Sequence, residues 1–232
     1  MFGLRKKKPI GNVLKLFKII TPEELGQYNS KTINNVIELS VNTFYDEDVL
    51  NCIDLNYGWK TYKKLTTFLD KLKGSLDNIE IVSLVISNSM DTKIISYSNE
   101  ILNQVQKDDF GIVELIICSD DNKLNNETVR AFVEKLNKKF PIDYGYIFPF
   151  EKGIDIFIEK KVKKSFFTSS VSVTKEDILN RERLLNINNG YIPKIYPTNL
   201  FNQSQFDCFK NGRYSIEEVI EINNNLKMVV MV

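Results

Sequence analysis

The amino-acid sequence predicts an α+β fold. Two-layer packing is expected, with tandem strand-helix-strand-strand units forming a mainly antiparallel sheet with helices on one face, then C-terminal helices and a hairpin. Two observations predict it. Residues 111–160 read strand, helix, strand, strand, and residues 31–98 repeat that order with little residue identity. Apolar residues make up 43% of the 232 positions and charged residues 26%, the balance of a globular chain rather than a disordered one.

In chain order, residues 1–30 read as a basic, helical extension. Arg5, Lys6, Lys7 and Lys8 precede the apolar run VLKLFKII, and Thr21-Pro22-Glu23-Glu24 has the cap, proline and acids of a helix start. Residues 31–42 mix β-branched and polar side chains and predict a strand. Asp46, Glu47 and Asp48 form an acidic loop. Residues 59–72 predict a helix, with Tyr62, Leu65, Leu69 and Leu72 on one face and Gly74 at its C-cap. Residues 79–87 and 92–98 read as a hairpin, and residues 99–109 as a helical linker.

The second unit carries the clearest signal. After the strand GIVELIICS, the turn at Asp120-Asp121-Asn122 leads to a helix capped by Asn125 or Asn126, with Glu127 in its first turn. Val129, Phe132, Val133, Leu136 and Phe140 recur at helical spacing, and Pro141 stops the run. DYGYIFPF and GIDIFIEK read as paired strands, with Tyr144, Tyr146, Phe148 and Phe150 on one face.

Residues 161–232 predict C-terminal helices and a hairpin packed on the 31–160 core, giving one compact domain. Thr174 to Asp177 is a capping box for a helix bearing Ile178, Leu179 and Leu185. Pro193 and Pro197 hold the chain extended, and Thr198 is expected to cap a short helix carrying Leu200, Phe201, Phe206 and Phe209. Residues 215–222 and 226–232 read as a hairpin around three asparagines.

Chemistry is scarce. Histidine is absent, which removes Ser-His-Asp and Cys-His mechanisms. No phosphate-binding glycine loop occurs. The three cysteines, Cys52, Cys118 and Cys208, lack CxxC spacing, so neither a zinc site nor a disulfide framework is expected, and a reducing compartment fits. No cofactor and no metal are expected, and the chain is read as a non-enzyme. Lys160, Lys161, Lys163 and Lys164 with Phe166 and Phe167 have the mixture of single-strand binders, yet a net charge of +1 does not favour nucleic acid. No apolar run reaches a membrane span and no secretory leader is read, so a cytoplasmic location is expected.

The segment Tyr196, Pro197, Asn199, Leu200 and Phe201 resembles a late segment of several immunity proteins of bacterial polymorphic toxin systems, in which an aromatic-proline stretch runs into a short helix. The α/β layout is similar too. The resemblance implies a non-catalytic protein that blocks a cognate toxin sterically, its affinity carried by a few anchored aromatic residues. Those five residues are expected to form a structural clamp, with the Asn199 amide bonding a neighbouring strand, and the partner surface is placed at Asp46, Glu47 and Asp48. The alternatives are a structural or regulatory protein of phage or mobile-element origin acting by self-association, and an enzyme of carboxylates and lysines.

Overall fold

The strand at the centre of the sheet shows no polar-apolar alternation because it is covered on both faces. β1 (Gly11–Ile20) has eight consecutive buried residues. The computed structural model describes residues 11–21, 24, 30–45, 50–55, 59–64, 66–68, 70, 83–88, 92–102, 110–151, 153–164 and 169–232. β1 pairs antiparallel with β6 (Phe110–Ser119) on one side and β7 (Tyr144–Phe150) on the other. Outward from β6 lie β5 (Ile94–Leu102), β4 (Ser83–Ser87), β2 (Leu50–Leu55) and β3 (Trp59–Tyr62). Outward from β7 lie β12 (Thr198–Asn202), β14 (Leu226–Met231) and β13 (Ile216–Asn223). The result is a mainly antiparallel sheet of ten strands, as the fold class requires. Among the described residues, no helix is long and apolar enough to cross a membrane.

Two helices cover one face. α1 (Ser30–Phe44) and α2 (Asn126–Asn137) pack over Leu14, Leu16, Val113, Leu115, Ile147 and Leu200. α2 is the helix expected: Asn125 caps it, and Val129, Phe132, Val133 and Leu136 are buried. The other face is covered by C-terminal segments. A 3-10 turn at Leu184–Asn189 contributes Leu184 and Ile187. α4 (Gln203–Lys210) adds Phe206 and Phe209. They pack on Phe17, Tyr144, Tyr146, Phe148 and Phe201, so the aromatic side of β7 is core.

Several elements differ from the sequence reading. Residues 31–42 lie in α1, not a strand: Ile33, Val36, Ile37, Val41 and Phe44 are buried at intervals of three and four, a helical period that β-branched content masked. Residues 59–62 form β3 rather than the start of a helix; residues 66–68 and 70 are helical. β5 runs on through Leu102, into the expected linker, and residues 103–109 lie outside the described set. The tandem units therefore do not have identical element orders. GIDIFIEK does not pair with β7: β8 (Ile154–Asp155) folds onto β9 (Lys160–Lys161), leaving the β7 edge to β12. Another short ladder pairs β10 (Lys163–Lys164) with β11 (Ser169–Ser170).

Thr198 opens β12 and not a helix. Asn202 caps α4 instead, its side chain accepting from the Gln205 backbone N–H at 2.9 Å. The expected N-terminal extension contains β1, the central strand.

Candidate functional site

A lysine inside a buried strand needs partners, because an unpaired ammonium in an apolar core costs several kcal/mol. Lys15 projects from β1 to the face covered by C-terminal segments and is 2% exposed. Its Nζ donates to the Phe157 carbonyl oxygen at 2.8 Å and lies 3.1 Å from Glu159 Oε1 and 3.8 Å from Glu114 Oε1. β6 supplies Glu114: its register sets Glu114 opposite Phe17, one pleat from Lys15 and on the same face.

Glu159 ends the turn between β8 and β9 with φ 58°, the single left-handed non-glycine residue among those described. That conformation costs about 1–2 kcal/mol and aims the carboxylate at the sheet. Oε1 accepts from the Tyr146 hydroxyl at 2.6 Å, and Oε2 accepts from the Tyr196 hydroxyl. Burial pushes the Glu159 carboxyl up, but the Lys15 charge and the hydrogen bonds from Tyr146, Tyr196 and Lys15 outweigh it, so it falls below its ordinary value. The same burial, with the Glu159 charge beside them, drives the Tyr146 and Tyr196 phenols above theirs. Both shifts favour the proton on the tyrosines and the charge on Glu159.

α3 (Lys175–Arg183) lies over this cluster. Thr174 and Asp177 form its capping box as expected. Asp177 also pairs with Lys160, and Arg181 reaches Glu114 at 3.3 Å. These polar contacts tether a helix that has no buried residue. Between it and the sheet lies a cleft of about 330 Å³. Lys15, Glu114 and Glu159 form its floor, and Tyr146 and Tyr196 one wall. Its rim is apolar and open: Phe157 is 43%, Val173 58% and Ile178 55% exposed.

Of the residues singled out in the sequence, Tyr196 is in this site. Its ring stacks on Tyr146 with centroids 4.0 Å apart and planes at 6°. Pro197 follows it, and Asn199, Leu200 and Phe201 are fully buried on β12. The Asn199 amide does not bond a neighbouring strand. It closes a local loop, accepting from the Tyr196 N–H at 2.9 Å and donating to the Tyr196 carbonyl at 2.6 Å. Asp46, Glu47 and Asp48 lie outside the described residues. Lys15, Glu114, Glu159 and Arg181 escaped the sequence reading. The signal for the first two was charge inside an apolar strand: Lys15, with Lys18, in VLKLFKII, and Glu114 in GIVELIICS.

Among the described residues, no group of three or more His, Cys, Asp or Glu is placed to hold a metal. Burial, and secondarily Asp120, pushes the Cys118 thiol up to about 12, far from a reactive thiolate.

No family model matches the chain, and no curated protein matches it. Its fold is similar to that of the T6SS protein PA0821 of Pseudomonas aeruginosa, with a TM-score of 0.51 at 9% identity, over 94% of this chain and 68% of that one.

Proposed function

We propose that this chain is a non-catalytic binding protein of a bacterial toxin system, an immunity protein that neutralises a cognate toxin by steric occlusion. The observation that carries this reading is α3. It buries no residue of its own and turns Ile178 and Leu179 to solvent beside Val173 and Phe157, over a cleft with a fixed charged floor. Apolar side chains that folding leaves exposed around a concavity are what a protein partner desolvates. The T6SS neighbour supports a toxin-system setting through its fold. Occlusion needs only a fitted surface, and a Glu159 carboxylate held in place by Tyr146, Tyr196 and Lys15 suits recognition better than turnover.

Co-expression with the product of the neighbouring gene tests the proposal. Co-purification is expected, and Ile178→Asp with Leu179→Asp abolishes it while stability changes by less than about 0.5 kcal/mol. Neutralising Asp46→Asn, Glu47→Gln and Asp48→Asn together measures whether the acidic loop shares the interface. If the double α3 variant still captures the partner, α3 is not the binding face; if the wild-type chain captures nothing, the toxin reading fails.

Self-association is the second reading. Among the described residues, β13 is an edge strand, with Ile216 39% and Val219 43% exposed. Glu217, Glu218 and Glu221 on that strand oppose pairing with a second copy, because like charges would meet. Light scattering separates the two readings: a stable large homo-oligomer favours self-association.

A further inference from the structure

We infer that Glu159 and Tyr196 form a seat for a primary alkylammonium group of the lysine side-chain type, and that Lys194 of this chain is an occupant that an incoming ammonium displaces. That a protein partner carries the incoming group rests on the function proposed above; the seat itself does not.

The argument begins with the carboxylate. Two oxygens offer about four acceptor directions. Oε1 uses two, on the Tyr146 hydroxyl at 2.6 Å and on Lys15 at 3.1 Å. Oε2 accepts from the Tyr196 hydroxyl. Among the described residues, its other direction is approached by Lys194 Nζ at 3.7 Å, outside direct hydrogen-bond range. The Tyr196 ring adds a second attraction. Tyr146 covers one of its faces at 4.0 Å, and Lys194 Nζ stands over the ring at 4.6 Å. A carboxylate and an electron-rich ring face therefore converge on one cationic position.

The seat is rigid and its occupant is not. Glu159 is held by a left-handed backbone and by Tyr146, Tyr196 and Lys15, whereas the Lys194 side chain is 63% exposed. Selectivity follows from the acceptor count. A guanidinium binds best as a fork on both carboxylate oxygens, and here Oε1 is committed, so a compact ammonium with one donor directed at Oε2 fits better. The aliphatic stem has its own surface in the cleft beside the seat, on Phe157, Val173 and Ile178.

The test uses the full chain, with the Tyr196 ring resonances followed by NMR while n-butylammonium is added at constant ionic strength. Lys194→Ala should show saturable shifts with an affinity about fivefold above wild type, because its seat is vacated. n-Butylguanidinium should bind several-fold more weakly than n-butylammonium. Adding Glu159→Gln to Lys194→Ala should remove binding; where that variant does not fold, the comparison of Lys194→Ala with wild type decides. Equal affinity in wild type and Lys194→Ala, equal affinity for the guanidinium, or no saturable shift overturns the seat. Toxin capture without a butylammonium response removes the seat and leaves the binding function. A butylammonium response without toxin capture does the reverse.

Discussion

Glu159 shows how one residue holds a lobe to a sheet. Its left-handed backbone is strained, and the strain is offset by two phenol hydrogen bonds and the Lys15 ion pair. Glu159→Gln keeps the shape and removes the charge, leaving Lys15 with the more distant Glu114 carboxylate and the Phe157 carbonyl; a loss on the order of 3 kcal/mol at neutral pH is expected in urea denaturation. The pH dependence has a definite sign. The folded carboxyl lies below its ordinary value of 4.5, so its stabilisation is present above that value and fades as pH falls through the folded one. The gap between wild type and Glu159→Gln should narrow in acid below about pH 4.5. A gap independent of pH would mean that the charge of Glu159 is not what stabilises. Asn199 works through the backbone: Asn199→Ala leaves the Tyr196 N–H and carbonyl without their amide partner in a fully buried place, and should cost about 1–3 kcal/mol in thermal melts.

Helices α2 and α3 obey opposite rules. α2 is held by packing: Phe132 is 1% exposed and meets Phe44 of α1 edge-on with centroids 4.9 Å apart. Phe132→Ala should destabilise by about 3–5 kcal/mol, read from the urea midpoint; a loss below about 1 kcal/mol would mean the stripe is not core. α3 is held by its capping box and by ion pairs to Lys160 and Glu114, with no buried residue. Its apolar side chains Ile178 and Leu179 stay exposed, 55% and 43%, so polar contacts and not packing hold this helix.

At the scale of the molecule, β12 joins the C-terminal third to the centre. It pairs with β7 through Thr198–Ile147 to Phe201–Tyr144, and with β14 on its other side. A chain ending at Lys160 loses β12, β13 and β14, opens the apolar edge of β7, and uncovers Tyr144 and Phe148 on the face that Tyr196, Phe201 and Phe209 bury. Such a chain should show no cooperative melt by circular dichroism and should bind a hydrophobic dye. A cooperative melt would place an independent domain boundary at residue 160.

The sequence by itself determined the α+β class, the α2 helix with an asparagine cap at Asn125 or Asn126, the aromatic face of β7, the capping box at Thr174 and the closing hairpin. Each is written locally, in a period, a cap residue or a turn. Tertiary structure decided the rest. Residues 31–42 carry β-branched side chains that favour a strand, but packing against α2 and the sheet selects the helical period. Thr198–Asn202 became a strand because the β7 edge was open to it, while GIDIFIEK curled away around Glu159. The candidate site was hidden for a related reason. Lys15, Glu114, Glu159 and Tyr196 lie far apart along the chain, and nothing in their local context pairs them. Only the register of β1 with β6 and β7, and the left-handed turn at Glu159, bring the charges within reach of one another, where the low polarity of the buried face makes their pairing obligatory.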